Sequence, residues 1–209
     1  MHEELRPDAA LQTTAGPGTP RALVNYYFRR LRTATRILDL GCGRGDVGRY
    51  GPGAARIFGL DIDQKVLRVA GTYEVVAAWN GESGSLPLRD GSVDAVIAKD
   101  ILEHVQRPGH LVAEMYRVLS GGGQAIVSVP MPKARVVWDD YTHVRGFTER
   151  AIRALVTSEG FTVVDLWRMG PVPGSARFDL MDLVPWVLAI QPVDWVWGSS
   201  WELLLRKRE

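Results

Sequence analysis

The chain has 209 residues, 46% of them hydrophobic and 23% charged, with a net charge of +1. That supports one globular domain with a sizeable core, and near-neutrality offers no basic surface for nucleic acid or an anionic membrane. The single cysteine, Cys42, excludes a disulfide within the chain and fits a reducing cytoplasm.

Residues 1–19 have no charged start followed by an apolar core, so no signal peptide is expected. They read as a loosely ordered polar arm, with 20–209 as a single domain. Pro20 to Leu31 places Leu23, Tyr26, Tyr27 and Leu31 at helical spacing. Arg29, Arg30 and Arg32 then read as a solvated helix end.

Arg36 to Leu40 is a short apolar run carrying Asp39. It breaks into Gly41-Cys42-Gly43-Arg44-Gly45. Such a break reads as a buried strand feeding a tight turn, where glycine permits positive φ and close approach of a ligand. Cys42, flanked by glycines with no histidine near it in sequence, reads as a small packed residue and not as a nucleophile. The next run, Arg56 to Leu60, ends on Asp61. An acid at the tip of strand two is placed to hold a ribose. Together these features point to a nucleotide-like cofactor.

A short helix is expected over Asp63–Val69, a third strand over Tyr73–Ala78, and a fourth over Val93–Ala98 after the turn Arg89-Asp90-Gly91-Ser92. Leu111, Val112, Met115, Val118 and Leu119 form a helical stripe that stops at Gly121-Gly122-Gly123. Gln124–Val129 is the fifth strand, and 131–147 a polar, aromatic loop. Thr148-Glu149 opens a helix carrying Ile152, Leu155 and Val156. Phe161–Trp167 is the sixth strand and Trp201–Leu205 the last. Alternation of apolar runs with helical stretches is the pattern of a parallel α/β sheet. The segment 171–200 holds Trp186, Trp195 and Trp197. Asp179, Asp182, Gln191, Asp194, Pro185 and Pro192 interrupt it too often for a membrane span. It reads as a core-covering helix, or as a substrate lid or homodimer face over 178–201.

Five linked pieces carry a family resemblance. They are Leu38 to Gly45, Gly59 to Asp63, Gly81 to Pro87, Asp94 to Ala98 followed by Ile101-Leu102-Glu103-His104-Val105, and Glu114 to Leu119 before the glycine triplet. In that order the chain resembles the class I S-adenosylmethionine-dependent methyltransferases, in their small-molecule, Rossmann-like branch. The resemblance implies a doubly wound, mostly parallel seven-stranded sheet with an antiparallel last strand, in three α/β/α layers. It implies S-adenosyl-L-methionine as cofactor. Asp39 would hold its ammonium, Gly41, Cys42, Gly43 and Gly45 would lie against methionine and ribose, Asp61 would take the ribose hydroxyls and Ile62 would pack on adenine. Glu82 stands where the family has an aspartate at the adenine amino group, with Ser83 beside it; Asn80 is the alternative. Lys99 and Asp100, closing strand four, complete the cofactor edge.

The same glycines also fit a dinucleotide fingerprint, Gly43-x-Gly45-x-x-Gly48 with Asp63 beyond it, which would make the chain an NAD-dependent oxidoreductase. Asp39 and Asp46 place negative charge where a pyrophosphate would sit, and the later pieces have no place in that pattern. The oxidoreductase is therefore the third reading, behind the runner-up, a non-catalytic, cofactor-binding subunit of a complex.

Methyl transfer needs a nucleophile in line, about 3 Å from the methyl carbon, and a base if that nucleophile is a hydroxyl. His104 and His143 lie after strands four and five, where open α/β sheets bind ligands. His143, with Asp139, Asp140 or Tyr141, is the leading base. His104 reads as a pocket wall, and Arg145 as an anion holder or a partner of Asp140. No metal is expected, because Asp139, Asp140 and His143 lack a third distant ligand. The acceptor is expected to be a small molecule, with a sugar or secondary-metabolite hydroxyl favoured, and neither nucleic acid nor membrane is expected as partner.

Overall fold

The computed structural model describes residues 18–31, 33–63, 73–79 and 84–209. Glu82, Ser83, Asn80, Arg32, the helix expected beyond Asp63 and the arm up to residue 17 lie outside the described residues. The apolar runs become β1 (Arg36–Leu40), β2 (Arg56–Asp61), β3 (Val75–Ala78), β4 (Val93–Lys99), β5 (Leu119–Pro130), β6 (Thr162–Met169) and β7 (Ser200–Arg206). They form one seven-stranded sheet in the order β3-β2-β1-β4-β5-β7-β6. Pairing is parallel from β3 through β5, and β7 runs antiparallel to both β5 and β6. The expected class and the antiparallel last strand are both present.

Seven helices are described: α1 (Arg21–Arg30), α2 (Asp46–Tyr50), α3 (Pro108–Val118), α4 (Arg135–Asp139), α5 (Glu149–Ser158), α6 (Val184–Leu188) and α7 (Val193–Trp197). Strand alternation assigns the core to two faces. Leu38, Val96, Val127 and Leu203 meet Leu111, Met115, Ile152 and Val156 of α3 and α5. Ile37, Ile97, Ile126 and Leu204 meet Tyr26 and Tyr27 of α1 and the segment after β6. Proline at the first position starts α3. Thr148 caps α5 by accepting a hydrogen bond from the Ala151 amide at 3.2 Å.

Two expectations change. The glycine triplet does not end the helix: α3 stops at Val118, and Gly121, Gly122 and Gly123 lie inside β5. The register there jumps from Val93↔Leu119 to Ala95↔Gln124. Glycine serves a strand irregularity here, because Gly122 takes φ +71° and a Cβ on Gly123 would press on the Ser120 carbonyl at 2.9 Å. The loop after β5 also contains α4.

Residues 170–199 form a short 3-10 turn (Met181–Leu183), α6 and α7. The segment covers the core with one side and leaves the other exposed. Met181, Val184 and Leu188 are buried against the α1 face, while Trp186, Ile190 and Trp195 are exposed. The segment leaves Met169 and returns at Ser200, beside Pro130 at the end of β5. It therefore sits on the edge where the parallel strands end. Asp194 fixes it there, taking Arg168 Nη1 at 2.5 Å on its carboxylate and Lys133 Nζ at 2.9 Å on its carbonyl. No helix among the described residues is long and apolar enough to cross a membrane.

Candidate cofactor and acceptor site

The strand order reverses between β1 and β4, and the crevice at the ends of those strands is where open α/β sheets bind ligands. The turn after β1 is built for it. Gly41, Gly43 and Gly45 take φ of +78°, +46° and +78°, the left-handed region that glycine enters without a Cβ penalty. The Gly41 and Cys42 amides both donate to the Leu60 carbonyl, at 2.8 and 3.1 Å, tying the turn to β2. Asp61 Oδ2 accepts the Gly43 amide at 2.8 Å, and Oδ1 accepts the Asp63 amide at 2.9 Å. Each oxygen keeps a lone pair for a ligand hydroxyl. Ile62, next to it, is exposed.

Cys42 is buried, and burial, with Asp39 and Asp61 nearby, pushes its thiol well up. It stays a thiol, as a packing residue should. Its sulfur lies 2.9 Å from where a Cβ on Gly59 would stand, with the Tyr73 ring at 3.0 Å. Gly59→Ala is expected to cost about 1–3 kcal/mol in urea-monitored unfolding and to displace the glycine turn.

Asp39 is 3% exposed and accepts a hydrogen bond from the Tyr73 hydroxyl. Burial raises its pKa from 3.8 to about 7, against the lowering effect of Tyr73, with Asp61 and Asp46 adding repulsion. Across β4, β5 and β7 runs a polar row: Lys99 is level with Ser128, and Ser128 with Glu202. Glu202 is buried, accepts the Tyr27 hydroxyl at 2.9 Å and is raised to about 7 by burial and by Asp100. Lys99 pairs with Asp100. Asp100 holds φ +51°, with the Ser128 hydroxyl donating to it at 3.0 Å. Strain of this kind is maintained only where surroundings over-determine it.

The second half of the site follows β4 and β5. Glu103 is fully buried, and its two carboxylate oxygens have no hydrogen-bond partner. Burial, then Asp100, raises its pKa well above the ordinary glutamate value. The His104 and His143 rings meet edge to face, with centroids 4.5 Å apart. His143 Nδ1 lies 2.9 Å from the Val137 carbonyl and must donate to it, which leaves the Nε2 lone pair free. That Nε2 is 3.9 Å from Glu103 Oε1 and 3.8 Å from Asp140 Oδ2. The Thr142 hydroxyl donates to Asp140 Oδ1 at 2.6 Å, so it accepts from His104 Nδ1 at 3.0 Å. His104 is lowered by burial and by His143, and Asp140 by the Thr142 hydroxyl.

The sequence placed His104 and His143 on one edge, and the structure brings them into contact. Asp140 joins them, while Tyr141 is 87% exposed and Trp138 is exposed as well. Arg145 does not pair with Asp140; it donates to the Gln106 carbonyl at 2.9 Å. His143 does not cap α5, since Thr148 does. Glu103 supplies the third, distant ligand-type group that sequence reading could not name. Its only sign in the sequence is an acid beside His104 between the apolar residues Leu102 and Val105. Tyr73 and Thr142 were missed, because nothing local marks a hydroxyl that reaches across the chain. A cleft of about 330 Å³, lined by Met131, Lys133, Thr148, Arg168, Asp194 and Trp201, flanks the loop that carries His143.

Comparison with known proteins bears on the fold and the family. A methyltransferase domain family model matches residues 38–127. A probable S-adenosylmethionine-dependent methyltransferase of Mycolicibacterium smegmatis is 33% identical over 175 residues, covering 74% of this chain and 66% of that protein. A malonyl-[acyl-carrier protein] O-methyltransferase of Methylococcus capsulatus is 31% identical over 146 residues, covering 63% of this chain and 53% of its own length. The chain thus spans about two thirds of the first relative and about half of the second. A methyltransferase crystal structure from Archaeoglobus fulgidus, 18% identical, superposes with a TM-score of 0.67 over 90% of this chain and 94% of that one.

Proposed function

From a chain that belongs to the class I S-adenosylmethionine-dependent methyltransferases, we infer a methyl transfer from S-adenosylmethionine to an oxygen of a small molecule, a sugar or secondary-metabolite hydroxyl. One observation carries the reading. The glycine turn with Asp61 and the Glu103–His104–His143 cluster flank the same strand ends, one suited to a nucleoside and the other to a proton in transit. The Asp61 carboxylate receives the ribose hydroxyls and Asp39 the ammonium of the cofactor. Ile62 covers adenine.

The sulfonium supplies an electrophilic methyl, so the protein's work is placement and proton removal. The acceptor hydroxyl gives its proton to His143 Nε2. Its oxygen forms the bond to the methyl carbon as the carbon–sulfur bond breaks, and the electron pair stays on sulfur. The imidazolium formed is stabilised by the Asp140 carboxylate, 3.8 Å away. Val137 holds the ring in the tautomer that this requires. Trp138 and Tyr141 offer exposed ring faces to the acceptor. Homology to an enzyme named for O-methylation supports oxygen as the acceptor atom.

The experiment is transfer of labelled methyl from S-adenosylmethionine to a panel of sugar and phenolic hydroxyls. Label in an ether product supports the reading. Tight cofactor binding with no transfer to any acceptor, in the presence of a stoichiometric partner protein, would favour the non-catalytic subunit instead.

A pH dependence follows from Asp39. In the free protein its pKa of about 7 means that it is protonated below that pH. An ammonium beside it lowers that pKa, so binding releases a proton wherever the free protein still holds one. Affinity for S-adenosylhomocysteine should therefore rise with pH by up to about tenfold per unit below pH 7 and level off above it. Calorimetric titration at several pH values measures this, and Asp39→Asn should flatten the slope.

A further inference from the structure

Among the described residues, buried carboxylates are answered by donors with one exception. Asp39 has the Tyr73 hydroxyl, Glu202 the Tyr27 hydroxyl, Asp194 the Arg168 guanidinium, and Glu114 both Arg117 and the Leu86 amide. Glu103 is as buried as any of them, and neither of its oxygens has a hydrogen-bond partner. A buried carboxylate left this way is costly, and it is completed by a proton or by a cation. One ligand atom each from Glu103, His104 and His143 lies within 4.8 Å of the other two.

We propose that Glu103, His104 and His143 form a binding site for a divalent first-row transition ion of the zinc type. Two imidazole nitrogens and a carboxylate oxygen are the donor set such ions take, whereas magnesium and calcium prefer oxygen alone. The surroundings fit. A ligating histidine normally donates its other ring N–H to a carbonyl or hydroxyl, which fixes the tautomer. His143 does so to Val137 and His104 to Thr142, which passes its own proton to Asp140. Both rings thus keep Nε2 as the free lone pair.

In a tetrahedral site with metal–ligand bonds near 2.0–2.2 Å, donor atoms stand roughly 3.3 Å apart. His143 Nε2 and Glu103 Oε1, at 3.9 Å, need a contraction that side-chain rotation supplies. Asp140 Oδ2 lies 3.8 Å from the same nitrogen, and water fills the coordination that the three ligands leave open. The backbone holds the frame, since the Val144 amide donates to the Glu103 carbonyl at 2.9 Å and joins the two segments that supply the ligands.

One consequence rests on the methyl-transfer reading above. An ion at this site takes the lone pair that would receive the acceptor proton, so the loaded protein turns over more slowly than the chelated one.

The test is calorimetric titration of the untagged, chelator-treated chain with zinc, and with cobalt for its visible spectrum. One equivalent bound is expected, with affinity falling at least tenfold in Glu103→Gln and in His143→Ala. Binding of S-adenosylhomocysteine by each variant reports that it is folded. Independently of any variant, bound cobalt in the wild-type chain should show the intensified absorption of a low-coordinate nitrogen–oxygen site. No saturable zinc binding, zinc affinity unchanged in both variants, or the spectrum of the hexahydrated cobalt ion would each overturn the site. Zinc bound as expected but raising turnover keeps the site and overturns His143 as the base. Failure to bind S-adenosylhomocysteine overturns the methyltransferase reading without touching the metal result.

Discussion

Asp61→Ala should lose S-adenosylhomocysteine binding by about a hundredfold or more in calorimetric titration. Two effects add in that substitution. In the proposed function the carboxylate accepts both ribose hydroxyls, and a hydrogen bond to a charged group contributes roughly 1.5–3 kcal/mol. The sum exceeds about 2.7 kcal/mol, which is two factors of ten in affinity. The same carboxylate also accepts the Gly43 and Asp63 amides, so alanine releases the turn that the cofactor must lie against. Asp61→Asn separates the two effects. Its amide oxygen still accepts one backbone N–H but carries no charge, so its affinity should fall between those of wild type and alanine. Full retention of affinity in Asp61→Ala would place the cofactor elsewhere.

His143→Ala should lower turnover by a factor on the order of a hundred to ten thousand, the range that a positioned general base supplies. Cofactor affinity should change by less than about twofold, because the ring lies beyond Glu103 and does not enter the glycine turn. The split is the diagnostic, since it separates a proton acceptor from a packing residue. The His143 side chain is nearly buried, so removing it also leaves a void. A thermal unfolding scan that shows a folded chain with intact cofactor binding makes a turnover loss chemical. Equal losses in both quantities, or none in either, would remove His143 as the base.

The periodicity of the chain made the sheet legible. The apolar runs located the strands, and the structure adds that Leu38 and Val96 enter one core while Ile37, Ala95 and Ile97 enter the other. Asp61 stood out because a lone acid closes an apolar run, and the structure puts it at the end of β2, where its carboxylate accepts the Gly43 and Asp63 amides. The glycine triplet misled because glycine serves a helix stop and a strand irregularity equally well, and only the pairing of β4 with β5 decides between them. The segment 170–199 resisted a single reading because its apolar residues face both ways. Met181 and Leu188 pack inward while Trp186 and Trp195 point out, and no local period separates the two sets. Glu103 was quoted as part of a motif and given no role, since its meaning is its lack of a partner, and a sequence does not show partners. The contact between His104 and His143 depends on where the loop after β5 folds back, and the Val144–Glu103 backbone bond that fixes it joins residues forty-one positions apart.

Binding of S-adenosylmethionine in the crevice between β1 and β4 underlies every role given above. It is tested most directly by calorimetric titration of the purified chain with S-adenosylhomocysteine, with NAD titrated in parallel. The account predicts saturable binding of one S-adenosylhomocysteine per chain and none of NAD. Binding of NAD alone, or of neither, would contradict it.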